Sequence, residues 1–136
     1  MHLTLEKVAI LKSVEIFADT PDFVLASVAA ITEEIEIPAD TLFMRAGEVE
    51  DCLYIVVAGR VQLGAGADAR ILEPGHSLGE LEALSPGARS TSARAVEEVT
   101  LFRINRDAFD ELMADRPEIA RSVIRMLCHR LRARGS

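Results

Sequence analysis

The spacing of apolar side chains along this chain is helical at both ends and alternating in the middle. Residues 3–12 and 21–30 have apolar spacings compatible with two short helices. Thr20 has the side chain of an N-cap residue, and Pro21 suits a first turn because it lacks the N–H that would be unpaired there. The apolar residues expected on the buried face of the second helix are Phe23, Val24, Val28 and Ile31.

The middle of the chain alternates apolar and polar side chains over short runs. The segment Cys52–Ala58 is nearly all apolar and rich in β-branched residues, which predicts a central strand. Turn signals at Gly59 and at Pro74-Gly75 separate it from other short runs. Short strands at this spacing indicate an antiparallel jelly-roll barrel, so we expect a mainly β fold with flanking helices. The predicted strands cover residues 34–37, 41–44, 52–58, 61–63, 70–72, 92–96 and 99–105.

Helical spacing returns over the last part of the chain, where Pro117 marks the start of a second C-terminal helix. A heptad-like stripe of apolar side chains follows it, in steps of four, three and four residues. The stripe could pack on the barrel or against a partner helix, so a homodimer through the last helix remains open. Its members are Ala120, Ile124, Leu127 and Leu131.

The element order fits a single domain over residues 1–136. Within it we expect a helical lead-in at 1–31, a barrel at 32–105 and C-terminal helices at 106–134. The net charge of −7 argues against a general nucleic-acid binder. Residues 115–136 carry six arginines against two acidic residues, which we interpret as a solvated helix face.

Cysteine usage and the N-terminal pattern bear on the compartment. Cys52 and Cys128 are far apart, and the N-terminus lacks the basic and apolar regions of a signal peptide. No apolar run approaches the roughly 18 residues that a membrane span needs. We therefore expect free thiols, a cytoplasmic location and no membrane span in this chain, which could be one domain of a longer protein.

The candidate chemistry is concentrated between Leu72 and Ala95. Gly79 lets a ligand approach the backbone closely, and the first N–H groups of a following helical turn favour an anion. Arg89 offers a planar fork suited to phosphate oxygens, and the Ser90 hydroxyl can donate. Glu80 would repel phosphate but can accept hydrogen bonds from sugar hydroxyls, so the set suits a sugar phosphate. An ordinary surface ion pair between Glu80 and Arg89 is the alternative.

The pattern Gly79-Glu80-Leu81-x-x-Leu84-x-x-x-x-Arg89-Ser90 resembles the phosphate-binding cassette of the cyclic nucleotide-binding domain family. This family includes the sensor domain of the bacterial catabolite activator protein, regulatory domains of cyclic-nucleotide-dependent kinases, and gated channels. The resemblance covers nearly the whole chain and places the cassette at residues 78–90. It extends to Asp51-Cys52-Leu53-Tyr54-Ile55-Val56, to Gly59-Arg60-Val61, to Pro74-Gly75 and to Arg94-Ala95.

The resemblance implies a role for each cassette residue. Glu80 would accept from the ribose 2′-hydroxyl, Arg89 would pair with the cyclic phosphate, and Gly79 would permit close approach to the ribose. The N–H groups of Leu81 and Glu82, with the Ser90 hydroxyl, would complete the phosphate cradle. It also implies that the purine would lie near Val61 and Leu63, with the last helix as a lid and Arg130 covering the base.

The ligand implied is cAMP or cGMP, with no separate cofactor. We favour cAMP because the sequence is bacterial in style. Binding would reposition the last two helices and signal to an adjoining effector domain. The family's transcription factors need a helix-turn-helix after the last helix, and no complete DNA-binding module lies in this chain.

Two positions depart from the family pattern. A small residue is usual at the position of Glu82, whose carboxylate could point to solvent and complement the helix N-terminus, or could occupy the anion site and abolish binding. Ala88 stands where a proline is common, so the loop before Arg89 is less restrained. The alternative function is therefore a degenerate barrel that binds no nucleotide and acts as a protein-interaction module.

Enzyme functions have little support in the sequence. His76 with Glu80 and Glu82 hints at a cupin-like metal site, but no second nearby histidine completes it, and a turn histidine is the simpler interpretation. Ser90 has no histidine positioned to activate it. We expect a non-enzymatic regulatory domain.

Overall fold

The computed structural model describes residues 1–85, 87–89 and 91–135, with only the backbone of Leu81 and Glu82. It begins with α1 (Thr4–Lys12), a 3-10 turn (Glu15–Phe17) and α2 (Asp22–Ala30). The strands are β1 (Thr32–Ile37), β2 (Leu42–Met44), β3 (Cys52–Ala58), β4 (Val61–Leu63), β5 (Arg70–Leu72), β6 (Ser77–Leu78), β7 (Ala93–Ala95) and β8 (Val99–Asn105). The remaining helices are α3 (Glu80–Leu84), α4 (Arg106–Asp115) and α5 (Pro117–Ala133).

The strands form two antiparallel four-stranded sheets, in the orders β1-β8-β3-β6 and β2-β7-β4-β5. The predicted central strand is confirmed, because β3 pairs with β8 along most of its length and with β6 on its other side. Its side chains from Leu53 to Val56 are buried because both faces of β3 are covered. The expected fold class, a mainly β jelly roll with flanking helices, is thus confirmed.

Two apolar clusters hold this architecture together. One fills the space between the two sheets and contains Val56, Val61 and Leu101. The other joins the terminal helices to the outer face of the first sheet, where Phe17 meets Phe109 edge to face. Because α5 packs on this second cluster, the C-terminal helix is attached to the same sheet that carries the candidate site.

The predicted start and face of α2 are wrong in two respects. Pro21 itself is the N-cap residue, and its carbonyl accepts from the N–H groups of Val24 and Leu25 at 3.0 Å. Thr20 is fully buried and makes no capping hydrogen bond. Phe23 is 66% exposed, because the helix packs through the neighbouring residues instead. The buried residues of α2 are Val24, Leu25, Val28 and Ala29.

Helix α5 begins at Pro117 as predicted, but its packed face is rotated from the heptad-like stripe. The buried side chains are Ile119, Ser122, Val123 and Met126. The Ser122 hydroxyl donates to the carbonyl of Ile16 at 2.9 Å. From the predicted stripe, Ile124 and Leu131 remain 58% and 54% exposed. None of the helices formed by the described residues combines the length and apolar character needed to cross a bilayer.

Candidate functional site

Backbone pairing with β3 positions the start of the cassette. The N–H of Gly75 donates to the Val56 carbonyl, and the N–H of Val56 donates to the His76 carbonyl, both at 2.9 Å. Strand β6 then pairs with β3 and leads directly into Gly79, which has a φ of +81°. A side chain at Gly79 would overlap the Arg89 guanidinium and lie 2.8 Å from the Cys52 carbonyl. Only glycine therefore fits where the chain turns from β6 into α3.

The other end of the cassette is held by the loop before β3. The N–H of Arg89 donates to the Glu48 carbonyl at 2.9 Å, and the N–H of Gly47 donates to the Arg89 carbonyl at 2.8 Å. The residue Ala88 forms a single antiparallel bridge with Val49. This two-way pairing fixes the direction in which the Arg89 side chain leaves the backbone.

The Arg89 side chain is buried where the two ends of the cassette meet. Its Nη2 donates to the Cys52 carbonyl at 2.7 Å and its Nη1 to the Gly79 carbonyl at 3.4 Å. The residue is only 2% exposed. Desolvating a permanent cation is expensive unless hydrogen bonds and counter-charges compensate it, so a buried arginine indicates a specific role.

An acidic and an aromatic residue flank this guanidinium. The Glu50 carboxylate lies 3.8 Å from Arg89 Nη2, and the Tyr54 ring centroid lies 5.9 Å from the guanidinium carbon. The Tyr54 hydroxyl donates to Glu50 Oε1 at 2.9 Å. Burial, reinforced by this hydrogen bond, raises the pKa of Tyr54, so its hydroxyl stays protonated and keeps donating.

Glu80, the first residue of α3, faces the C-terminal helix. Its side chain is 11% exposed, and its Oε1 lies 2.8 Å from Arg130 Nη1. The Nε of Arg130 donates to Glu15 Oε1 at 3.0 Å, so one guanidinium bridges the cassette and the N-terminal 3-10 turn. Burial alone would lower the pKa of Arg130, but the bonds with Glu80 and Glu15 outweigh it and raise the pKa.

A cavity of about 610 Å³ lies beside Glu80, between β5, the turn before β6 and α5. Ligand pockets in proteins commonly measure roughly 300–1,000 Å³, so it is large enough for a nucleotide. Its lining carries more cationic than anionic side chains, which suits an anionic ligand. Among the lining residues are Arg70, Ile71, His76, Glu80, Arg130 and Arg134.

The structure brings Gly79, Glu80 and Arg89 together at one edge of the first sheet. Ser90 lies outside the described residues, and so do the side chains of Leu81 and Glu82. Because α3 begins at Glu80, the Leu81 and Glu82 N–H groups lie in its first turn, where helical N–H groups have no intrahelical partner.

The three predicted base contacts lie in two different surroundings. Arg130 lines the cavity, but it pairs with two carboxylates. Val61 is fully buried in the apolar cluster between the sheets, and Leu63 packs against that cluster. The apolar residues of β5 that line the cavity are Ile71, which is exposed, and Leu72, which is buried.

Several residues around the cassette carry no sequence signal of a role in the site. The Cys52 carbonyl is a backbone group, and Glu15 is far from the cassette along the chain. Glu50 and Tyr54 stand four residues apart on a loop and a strand, a spacing with no recognisable meaning before the fold is known.

His76 behaves as the turn residue that the simpler interpretation predicted. Its Nδ1 accepts from the Glu73 N–H at 2.9 Å across the turn. Within the described part of the chain, His, Cys, Asp and Glu side chains form no group of three that could hold a metal ion.

Comparison with known proteins identifies the family of this chain. Residues 34–116 match the model of the cyclic nucleotide-binding domain. The chain is 38% identical over 118 residues to the CRP-like cAMP-activated global transcriptional regulator of Mycobacterium tuberculosis, covering 79% of this chain and 52% of that protein. It therefore spans about half of that relative's length.

Two solved structures extend the likeness to three dimensions. The N-terminal domain of a transcriptional regulator from Streptomyces coelicolor superposes with a TM-score of 0.81 at 27% identity, covering 93% of this chain and 92% of that chain. The regulatory domain of Toxoplasma gondii PKA, in a co-crystal structure with cAMP, superposes with a TM-score of 0.72 at 27% identity. The match covers 80% of this chain and 44% of that chain. With the family match over most of the barrel and this shared fold, the chain belongs to the cyclic nucleotide-binding domain family.

Proposed function

We propose that this domain binds a cyclic nucleotide through Glu80 and Arg89 and passes the signal on through its C-terminal helices. The observation that carries the proposal is the meeting of Gly79, Glu80 and the buried Arg89 at one edge of the first sheet, where Glu80 also lines a cavity of about 610 Å³. A phosphate at Arg89 would meet a cation, and a ribose hydroxyl at Glu80 would meet an acceptor, as the resemblance implies.

The chemistry of each group supports its assigned role. The Arg89 guanidinium is held by two carbonyls, so a ligand phosphate meets a cation that is already oriented and loses little side-chain entropy on binding. Glu80 is an acceptor that suits a ribose 2′-hydroxyl, and the N–H groups of Leu81 and Glu82 with the Ser90 hydroxyl would complete the phosphate cradle.

The finer features of the proposal draw on the relatives. We favour cAMP over cGMP because the Mycobacterium tuberculosis relative is a cAMP-activated regulator and the Toxoplasma gondii relative was crystallised with cAMP. Both relatives are longer than this chain, which supports an adjoining effector domain. We also propose a cytoplasmic location, in keeping with the free thiols of Cys52 and Cys128, and a regulatory role without an enzymatic one.

Replacing Glu80 by glutamine tests its assignment to the ribose. We expect calorimetry to show cAMP binding to the wild type, and a loss of about 10-fold or more with 2′-deoxy-cAMP, because a hydrogen bond to a charged group is removed. Glu80→Gln keeps an acceptor but loses its charge, so it should weaken cAMP binding by a smaller factor and hardly change binding of 2′-deoxy-cAMP, since both changes act on the same hydrogen bond.

A parallel titration with cGMP measures the preference for the base. Absence of heat with either nucleotide at millimolar concentration would contradict the proposal and favour the alternative, a barrel that serves as a protein-interaction module. Equal losses of cAMP and 2′-deoxy-cAMP affinity in Glu80→Gln would contradict the ribose assignment alone.

Arg130 supports a route from the ligand to α5. A ribose hydroxyl that approaches Glu80 meets the same carboxylate that Arg130 contacts at 2.8 Å, so ligand and helix share one acceptor. Glu15 offers Arg130 a second partner on the N-terminal turn. A ligand shifts the position of α5 only as far as its affinity differs between helix arrangements.

The outer face of α5 supports a homodimer as a further part of the proposal. Ile124, Cys128 and Leu131 are exposed and lie four and three residues apart, on one side of the helix. Pairing this face across a two-fold axis would bury the two apolar side chains and bring the two Cys128 thiols together.

Cross-linking through Cys128 tests both the pairing and the movement of α5. In a Cys52→Ser background, we expect mild oxidation to give a disulfide-linked dimer at a rate that cAMP changes by about 3-fold or more, a modest shift between two helix arrangements. A bimane label on Cys128 should change its emission on addition of cAMP. Absence of a cross-link would contradict the dimer, and an unchanged bimane spectrum would contradict movement of α5.

A further inference from the structure

The carboxylate of Glu50 stands close to the arginine proposed to bind phosphate. Glu50 Oε1 lies 3.8 Å from Arg89 Nη2, which is close enough for a strong Coulombic interaction but too long for a hydrogen bond. The hydrogen bonds of Arg89 described above go to carbonyls of Cys52 and Gly79 instead. Glu50 therefore contributes charge at this guanidinium, whereas the carbonyls contribute orientation.

Tyr54 keeps the Glu50 carboxylate in this place. Its hydroxyl donates to the same Oε1 that faces Arg89, at 2.9 Å, and Tyr54 is itself buried in β3. The Glu50 side chain is 29% exposed, so it borders solvent on the side away from the core. A carboxylate tethered by a buried hydroxyl cannot swing away from the guanidinium without losing that hydrogen bond.

We infer that Glu50 is an intramolecular counter-ion of Arg89 that stabilises the folded domain and weakens its affinity for the phosphate of a cyclic nucleotide. The inference rests on the proposed function. In the folded protein the carboxylate compensates a buried cation, and a phosphate that reaches Arg89 meets a like charge close by. The Coulombic penalty for the phosphate is an addition to the cost of displacing solvent from the site.

Replacing Glu50 by glutamine separates these two effects. Glutamine has the same shape and can still accept from Tyr54, but it removes the negative charge. We expect Glu50→Gln to tighten cAMP binding by about 5-fold. That is the gain from removing one negative charge several ångströms from the phosphate at an intermediate dielectric constant. The gain should shrink when the salt concentration rises to about 0.5 M, because mobile ions screen the carboxylate of the wild type.

The stability of the same variant should move in the opposite direction. Without the negative charge of Glu50 the buried Arg89 is less well compensated, so we expect the melting temperature of Glu50→Gln to fall by about 2–4 °C in the absence of ligand. If Glu50 only positioned Arg89, stability and affinity would fall together. Tighter binding combined with a lower melting temperature is thus specific to the counter-ion role.

Glu48→Gln is the matched control. It changes the net charge of the protein by the same amount and lies in the same loop. Its backbone carbonyl, which accepts from the Arg89 N–H, is unchanged, and its carboxylate faces Arg45 at 3.8 Å on the surface. We expect its affinity for cAMP to stay within about 2-fold of the wild type, since exposed ion pairs are weak and screened.

The outcomes distinguish this inference from the function on which it rests. A wild type that binds cAMP while Glu50→Gln binds equally or more weakly would overturn the counter-ion role and leave the proposed function intact. If neither protein bound at millimolar ligand, the proposed function would fail and this inference with it.

Discussion

Replacing Arg89 by alanine should reduce cyclic nucleotide affinity by about 100-fold or more, because truncating one partner of a desolvated charge pair costs about 2–5 kcal/mol. The loss has two physical sources. The phosphate loses its counter-charge, and the carbonyls of Cys52 and Gly79 lose the donor that joins the two ends of the cassette. Calorimetry with cAMP measures the first effect, and thermal melts of the free protein measure the second.

Two further variants make the Arg89 experiment specific. Arg89→Lys keeps the charge but lacks the fork that reaches both carbonyls, so we expect an intermediate affinity. Arg94→Ala is the control, because Arg94 is exposed and its Nη1 donates to the Asp40 carbonyl on the surface. If a folded Arg89→Ala protein kept cAMP affinity within about 3-fold of the wild type, the phosphate assignment would be contradicted. A 3-fold change corresponds to about 0.7 kcal/mol of binding free energy, which is too little for the loss of a buried ion pair.

Replacing Gly79 by alanine should destabilise the domain by about 2–4 kcal/mol and remove nucleotide binding. The backbone at Gly79 has a φ of +81°, where an L side chain is strained. The added carbon would also lie 2.8 Å from the Cys52 carbonyl and overlap the Arg89 guanidinium. The carbonyl belongs to β3 and cannot move aside, so the arginine and the turn into α3 must shift. Urea unfolding measures the loss of stability.

Gly75→Ala provides the comparison that isolates this steric effect. Gly75 also has a positive φ, +97°, but a side chain there meets nothing within 4 Å. It should cost about 1–2 kcal/mol from backbone strain alone. Equal losses of stability in the two variants would show that the contact with Arg89 and Cys52 is unimportant.

Much of the fold follows from local pattern. The apolar run at Cys52–Ala58 becomes the central strand, because a strand buried on both faces needs apolar side chains at successive positions. Pro117 begins the last helix, because proline lacks an N–H and is tolerated in the first turn. The face of α2 was predicted wrongly at Phe23, because several apolar residues on a short helix leave its packed side to the neighbouring elements.

The candidate site likewise combines residues that the sequence identified with contacts that depend on the fold. The cassette pattern identified Gly79, Glu80 and Arg89 because a phosphate and a sugar hydroxyl require a close backbone, an acceptor and a fixed cation. The pairing of Arg130 with both Glu80 and Glu15 depends on how α5 crosses the cassette. The contact between Glu50 and Arg89 depends on the bridge between their two loops.

Short patterns and local periodicity were sufficient to predict the family, the class of fold and the residue types at the proposed phosphate and ribose positions. The three-dimensional contacts were needed to show that Arg89 is buried against the Cys52 carbonyl, that Arg130 bridges two carboxylates, and that Val61 lies in the core. Those features arise from contacts between residues far apart in the chain, whose strength depends on distance and desolvation that no local pattern records.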